Sequence, residues 1–169
     1  MSQTILIAAF SGRALAQAAR RAGYVPLVVD AFGDMDTRDA AEDYLQIADA
    51  VRLGFNAKPL FAALDTLVDR ADAPPIGIVL GSGFEDRPKL IDSLDRRYRV
   101  LGTKAETVAE LKDPARFFPL LKQLGIAHPP TSLTRPEQTQ GWIAKRAGAA
   151  GGAHIRHVSA LSRAHPKHY

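Results

Sequence analysis

The sequence predicts an α/β protein in which a parallel sheet comes first and a smaller α+β segment follows. Residues 4–10 and 76–80 are apolar throughout, as strands buried on both faces of a parallel sheet are. Stretches with helical spacing, such as residues 59–71, lie between such runs, and this alternation indicates parallel βαβ units. The pattern ends near Gly102. We therefore predict a Rossmann-like parallel sheet followed by a small α+β lid.

The expected elements follow in chain order. An alanine-rich helix after the first strand ends at Gly23, a typical C-cap residue. The second strand ends at Asp30, and a polar, acid-rich loop follows. The other elements before residue 102 are a short strand, a helix, a strand and a helix (44–47, 59–71, 76–80, 88–97). Two helices and a strand pair flanking a glycine-rich loop come after it (104–110, 114–124, 142–145, 154–158).

This order predicts three parts: a Rossmann-like domain over residues 1–102, a helical linker over 103–130 and a partial lid over 131–169. At 169 residues and 46% hydrophobic composition, the chain is long enough to bury a core. It has no cysteine, which excludes disulfides and a thiolate nucleophile. No apolar run is long enough to span a bilayer, so we expect no membrane contact, and because cysteine is lacking the expected compartment is a reducing cytoplasm.

Charge is distributed unevenly along the chain. Residues 1–100 carry 12 Lys and Arg against 14 Asp and Glu, whereas residues 101–169 carry 10 against 4. A basic surplus of this kind is typical of a segment that binds a phosphate-rich partner, either a nucleotide or a nucleic acid. The alternative is a basic face that an acidic segment normally covers.

Two turns follow apolar strands and are candidates for substrate binding. Ser11, Gly12 and Arg13 follow the first strand, and Gly81, Ser82, Gly83 and Glu85 follow the strand at 76–80. In open α/β sheets, ligands bind in a crevice beyond the carboxyl ends of the strands. The alternative for the second turn is a tight strand–helix connection in which Glu85 is solvated near the helix start.

The first turn also resembles the position of a dinucleotide phosphate loop, with Asp30 where a ribose-binding acid would stand. The full G-x-G-x-x-G pattern is absent, because the turn reads AFSGRAL. A single glycine turn is required by any doubly wound sheet, so this is weak evidence for NAD.

A lysine and a glycine-rich loop form the sharpest motif in the chain. Lys145 ends an apolar run, and the loop that follows supplies bare backbone amides. Glycines allow the main chain to approach phosphate oxygens, and lysine adds a point charge. An ordinary turn-rich loop is the alternative. The ATP-binding candidates here are Lys145, Gly148, Ala149, Ala150, Gly151, Gly152 and Ala153.

The histidines near the end of the chain do not predict a metal site. His154 and His157 are three residues apart, which places them on opposite faces of the expected strand. His165 and His168 flank Pro166 close to the terminus, where chains commonly fray. We expect no metal bound by this chain.

The combined pattern resembles the ATP-grasp superfamily of ligases. Residues 1–102 resemble the domain that precedes the nucleotide site, LGTKAETVAELKDPARFFPLLKQLGIAHPPT is similar to the linker and first lid helix, and WIAKRAGAAGG resembles the lid lysine and glycine loop. SGRALAQAARRAGY, DMDTR and GSGFE are most similar to predicted carboxylate ligases related to biotin carboxylase, found in methylotrophs and methanogens. The resemblance implies an incomplete ATP-grasp fold.

The chain departs from the family pattern in two places. The family commonly has Asp-Lys at the start of the first lid helix, whereas Asp113 is followed here by Pro114. Lys112 or Arg116 would have to replace that phosphate-binding lysine. The resemblance also implies that the adenine hinge, the magnesium-binding acids and the catalytic arginine belong beyond Tyr169, so the chain is expected to be truncated.

The resemblance implies part of an ATP-dependent carboxylate–amine or carboxylate–thiol ligase that acts through an acyl phosphate. ATP, Mg²⁺ and a small carboxylate are the implied ligands, and homodimerisation is compatible with the family. We expect no nucleic-acid partner, and no ligation by the 169-residue chain alone. The alternatives are a non-catalytic binding or assembly module and a NAD-binding Rossmann protein.

Overall fold

The computed structural model describes residues 2–149 and 152–158, and the chain divides into two compact units, Met1–Ala105 and Glu106–Tyr169. The first unit holds a four-stranded parallel sheet with helices. The second holds helices and a two-stranded antiparallel sheet. The α/β class is therefore confirmed, whereas the division of the chain into three parts stays a prediction.

The sheet of the first unit is parallel at every strand pair, as the uniformly apolar runs predicted. Its order is β3-β2-β1-β4, so β2 and β3 lie to one side of β1 and β4 lies on the other. The order in which strands are added to the sheet therefore reverses between β1 and β4. Such a reversal leaves a crevice at the carboxyl ends of these two strands. The strands are β1 (Thr4–Ala9), β2 (Val25–Asp30), β3 (Asp43–Gln46) and β4 (Ile78–Leu80).

Helices pack against both faces of this sheet. Ala16 and Ala19 of the first helix pack with Ile5, Ile7 and Val28 on one face. The helices of this unit are α1 (Arg13–Arg21), α2 (Met35–Ala40), α3 (Ala50–Leu53), α4 (Ala57–Arg70) and α5 (Pro88–Tyr98).

The opposite face is covered by α4. Side chains alternate across a strand, so Leu6 and Val29 point away from α1, and both are fully buried. The helix α4 contacts β2 and β3, and it buries Leu60, Leu64 and Leu67. Burying three leucines contributes about 5–8 kcal/mol of apolar transfer free energy, before the entropy of ordering the chain is subtracted.

The prediction of an acid-rich loop over residues 33–41 is wrong in part, because these residues include the helix α2. The Asp34 side chain accepts a hydrogen bond from the Thr37 backbone N–H at 2.9 Å and so caps this helix. That bond is the largest cause that holds the pKa of Asp34 below its usual value. Polar composition hid the helix, since its only buried residue is Thr37.

The second unit is built around little buried apolar surface. The two helices that the structure describes in it contain no buried residue, and its described buried apolar side chains are Ala144 and Val158. The strands pair antiparallel, Ile143 with His157 and Ala144 with Arg156. The elements are α6 (Ala105–Lys112), α7 (Pro114–Gln123), β5 (Ile143–Ala144) and β6 (Arg156–His157).

A buried carboxyl group at the end of β2 joins three segments of the first unit. Asp30 is completely inaccessible to solvent. Its oxygens accept hydrogen bonds from Gly12 N (3.1 Å), Gly33 N (2.9 Å) and the Tyr44 hydroxyl (3.0 Å). Burial, followed by the hydrogen bond to Asp30, raises the pKa of Tyr44, which therefore remains a donor. The turn after β1, the turn after β2 and strand β3 share one acceptor.

Asp30→Ala is expected to lower the free energy of unfolding by about 3 kcal/mol, because the buried Gly12 amide and the half-buried Gly33 amide and Tyr44 hydroxyl lose their acceptor. Urea denaturation followed by circular dichroism measures this. Asp39→Ala is the matched control: Asp39 is exposed on α2, so its removal should change stability by no more than about 0.5 kcal/mol. Equal effects of the two substitutions would contradict the assigned role of Asp30.

Candidate functional site

The structure brings the two predicted substrate turns together at the carboxyl edge of the sheet. Phe10 N donates to Ser82 O at 2.8 Å, which joins the turn after β1 to the turn after β4. Both turns depend on a close approach that excludes a side chain. A Cβ on Gly12 would lie 2.5 Å from Val28 Cγ1, and one on Gly83 would lie 2.7 Å from the Phe10 ring. Ser11 and Ser82 lie on the outside of these turns, half-buried and exposed respectively.

Phe84 of the GSGFE turn packs in the core of the first unit. The Phe84 side chain is 3% exposed and stacks on Phe55, with ring centroids 5.0 Å apart. Phe55 in turn stacks on Phe10 at 5.5 Å. Glu85 is half-buried, and its carboxylate accepts from Gly83 N at 2.8 Å. Glu85 thus holds its own turn in shape.

Arg13 is placed by two acidic neighbours at the start of α2. Its guanidinium lies 3.4 Å from the Asp36 carboxylate and 3.9 Å from the Asp34 carboxylate. Because these groups are about half exposed, the pairs orient the arginine and add little to stability.

A cavity of about 1070 Å³ lies within the second unit, between α7, the proline-rich connector and β5. Its apolar wall includes Phe117, Phe118 and Trp142. Four cationic residues, Lys112, Arg135, Lys145 and Arg146, also line it, and within the described residues its wall carries no carboxylate. A large, mostly apolar cavity with a few convergent polar groups is the usual form of a cofactor site.

Two lysines that are 33 positions apart in the sequence line this one cavity. Lys145 immediately follows β5, and Lys112 is the last residue of α6. Arg116, the other candidate to replace the missing family lysine, is exposed and lies 3.7 Å from the Asp113 carboxylate. Asp113 also caps α7 by accepting from Ala115 N at 2.9 Å. Of the two candidates, the geometry favours Lys112.

The glycine loop is described in part. Gly148 lines the cavity beside Lys145, and its φ of 75° is in the left-handed region. Ala149, Gly152 and Ala153 are described, whereas Ala150 and Gly151 fall outside the described residues. The strand expected over 154–158 is shorter than predicted, because β6 contains only Arg156 and His157.

Sequence reasoning missed the aromatic wall of the cavity. The helix predicted over residues 114–124 contains Phe117 and Phe118, and no residue of α7 is fully buried. His128 also lines the cavity, with its ring 5.3 Å from that of Phe118 and its Nδ1 2.9 Å from Pro129 O. An apolar helix face without a partner in the predicted topology is the signal that would have indicated this wall.

The described residues form neither a metal site nor a membrane-spanning helix. Across residues 2–149 and 152–158, no group of three His, Asp or Glu side chains is arranged to hold a metal ion. His154 lies in the turn before β6, so the strand-based argument for separating it from His157 is wrong. His165 and His168 fall outside the described residues. None of the described helices is both long and apolar enough to cross a bilayer.

Gly83→Ala is expected to destabilise the first unit by about 1–3 kcal/mol, because the new methyl group meets the Phe10 ring and the φ of 105° is strained for alanine. Thermal unfolding measures the loss, and near-ultraviolet circular dichroism reports the aromatic stack. Ser82→Ala, in the same turn but exposed, should change neither. If Gly83→Ala unfolds like the wild type, the turn is looser than described.

Comparison with known proteins places this geometry in a known fold. No model of a known protein family matches the chain. The carbamoyl phosphate synthase large chain of Rubrobacter xylanophilus is 39% identical over 77 residues, which are 44% of this chain and 7% of that protein. Among solved structures, N5-carboxyaminoimidazole synthetase from Staphylococcus aureus, complexed with ADP, has a TM-score of 0.59 at 22% identity. That match covers 92% of this chain and 41% of the synthetase.

A biotin carboxylase domain of a single-chain bacterial carboxylase has a TM-score of 0.55 at 17% identity, over 78% of this chain and 31% of that domain. The chain thus spans less than half the length of each of these proteins. At identities this low, the TM-scores show a common fold and nothing finer. Over part of their length, this chain shares the fold of the synthetase and of the biotin carboxylase domain, as the resemblance to the ATP-grasp superfamily implied.

Proposed function

We propose that the chain forms part of an ATP-dependent ligase that joins a carboxylate to an amine or a thiol. The observation that carries this proposal is the cavity of the second unit, where Lys112, Lys145 and Gly148 meet an aromatic wall. The common fold with a synthetase solved with ADP supports the same conclusion. A nucleotide needs both parts of such a cavity, an apolar wall for its base and cations for its phosphates.

In the proposed reaction, a carboxylate oxygen attacks the γ-phosphorus of ATP, and ADP leaves. The nucleophile then attacks the carbonyl carbon of the acyl phosphate, loses its proton, and displaces inorganic phosphate. Charge develops on the phosphoryl oxygens in the first step, so cations and oriented amides around them lower the barrier. Magnesium ions would offset the remaining negative charge.

In this proposal each predicted site residue has a role. Lys145 holds the α- and β-phosphates, and the backbone amides of residues 149–153 cover the β- and γ-phosphates. Lys112 supplies the charge that the family pattern would place at position 114. Ser11, Arg13 and Ser82 orient the carboxylate substrate at the switch point, where Gly12 and Gly83 permit the turns.

The NAD alternative is disfavoured by the environment of Asp30. Both of its oxygens accept hydrogen bonds from within the protein, and the side chain is wholly buried. It therefore presents no acceptor to a ribose hydroxyl. The binding-module alternative predicts no nucleotide binding, which a titration with ATP and NAD distinguishes.

Lys145→Ala and Lys112→Ala are each expected to weaken ATP binding by about 1–3 kcal/mol, the scale of one lost charge-assisted hydrogen bond. Isothermal titration calorimetry on the 169-residue chain, and on any longer form, measures the effect. Arg116→Ala should leave the affinity nearly unchanged, because the arginine is directed to Asp113.

Lys122→Ala is the matched control for the lysine variants. Lys122 is exposed on α7 and does not line the cavity, yet its removal changes the net charge by the same amount. An equal loss of affinity in Lys122→Ala would show that overall charge, and not the cavity, binds the nucleotide. Unchanged affinity in both Lys112→Ala and Lys145→Ala would overturn the proposed site.

We expect no magnesium-dependent release of ADP at enzyme-like rates from the 169-residue chain. In the synthetase that it matches, 41% of the length corresponds to this chain, and a site that surrounds only part of a nucleotide loses much of the burial on which binding depends. An ATP-consumption assay over candidate acids and amines tests this. Turnover by the 169-residue protein would show that its own residues suffice for catalysis.

A further inference from the structure

A second cleft lies in the first unit, at the edge of the sheet opposite the substrate turns. Its volume is about 710 Å³, and it is lined by the end of α4, residues 74–76 and the end of α5. Ile76 N donates to Thr4 O at 2.9 Å, so the cleft adjoins the first residue of β1. The switch point lies at the other ends of β1 and β4. The proposed ligase chemistry uses no residue of this cleft.

Most charged side chains that line the cleft are neutralised by a neighbour. Arg97 pairs with Asp65, Arg96 with Asp92, and Asp95 with Lys104, each at 2.7 Å. The other two charged residues that line the cleft are Asp69 and Arg99. Both are exposed, and within residues 2–149 and 152–158 neither side chain has a hydrogen-bond or ion-pair partner. The cleft thus presents one free anion and one free cation.

Arg99 has a backbone conformation that is unusual for a residue with a side chain. Its φ is 56°, the only positive value for a non-glycine residue in the part of the chain that the structure describes. The main chain is held there by two bonds, Arg99 N to Asp95 O (3.1 Å) and Ile78 N to Arg99 O (3.0 Å). Glycine adopts this conformation without steric cost and is the usual residue after a helix. Local backbone geometry therefore favours glycine, and it gives no reason for an arginine.

One wall of the cleft is apolar and is formed by Val68, Pro74, Pro75 and Ile76. Val68 and Ile76 are half-buried, and Pro74 and Pro75 fix the backbone between them. An aliphatic group of a ligand would bury apolar area against these four side chains, which favours binding. The volume is in the range of small-molecule sites.

We propose that this cleft binds a small apolar amino acid. The carboxylate of the ligand pairs with the Arg99 guanidinium, its ammonium group pairs with Asp69, and its side chain packs on Val68, Pro74, Pro75 and Ile76. A zwitterion matches the two free charges of opposite sign, and a fork-shaped guanidinium suits a carboxylate. An aliphatic side chain matches the wall.

L-Leucine is the probe, titrated into the full 169-residue chain at fixed ionic strength and followed by NMR of the arginine Nε–H groups and by calorimetry. Saturable binding is expected, with a shift of the Arg99 signal. Glycine, which lacks the apolar side chain, should bind at least about tenfold more weakly. Acetate and methylamine carry one charge each and should not saturate. Equal responses to leucine and acetate, or no response to leucine, overturn the proposal.

Two substitutions separate ligand binding from folding. Arg99→Gly should lower leucine affinity at least about tenfold while raising Tm by about 2 °C, because glycine accepts the positive φ. Asp69→Asn should lower the affinity similarly, with the fold intact by circular dichroism. Arg52→Ala and Asp39→Asn are the matched controls on exposed helix surfaces outside the cleft, and should bind leucine like the wild type. Wild-type affinity in Arg99→Gly or Asp69→Asn would overturn the site. ATP affinity should be the same in all four variants.

Discussion

The architecture of the first unit depends on the hydrogen bonds of Asp30. A carboxyl group removed from water is tolerated where its oxygens are satisfied, and three donors from three segments satisfy this one. The same bonds fix the turn after β1, where Gly12 lies against Val28. They also join β3, through Tyr44, to the end of β2. The carboxyl edge of the sheet, which carries the substrate turns, is thereby held in one conformation.

The two units use their apolar residues differently. In the first, strand residues such as Leu6 and Val28 are fully buried, and the helices close over them. In the second, the helices bury none of their residues, and Phe117, Phe118 and Trp142 line an open cavity instead. Apolar surface that is left uncovered in this way is available to a ligand. Apolar residues thus stabilise the fold in the first unit, whereas in the second unit they line a cavity.

The first unit carries candidate chemistry at both edges of its sheet. At the carboxyl edge, packing of Phe10, Phe55 and Phe84 fixes the turns while Ser82 remains exposed. At the amino edge, paired charges fix the ends of α4 and α5 while Asp69 and Arg99 remain unpaired among the described residues. In each case the internal contacts rigidify the backbone and leave a few polar side chains outside. Rigid support of this kind lowers the entropy that ligand binding must overcome.

Much of the first unit could be predicted from the sequence, because uniformly apolar strands and regularly spaced helices are local signals. The strands near residues 4, 25, 43 and 78, the helices α1, α4 and α5, and the parallel pairing follow from them. The lysine and glycines of the loop were also visible as a motif. Local pattern failed at α2, whose polar residues resemble a loop until the Asp34 cap is seen.

Tertiary structure alone decided which residues meet. No spacing indicates that Lys112 and Lys145 line one cavity, that Phe84 packs on Phe55, or that Asp30 accepts a hydrogen bond from Gly12. These contacts join residues 18 to 33 positions apart, and they arise from how sheets and helices pack rather than from local propensity. The sequence by itself determined the elements and the chemical types of side chain available. The packing decided which of those side chains were used to hold the fold and which were left to face a ligand, because burial and hydrogen-bond satisfaction are properties of the folded chain as a whole.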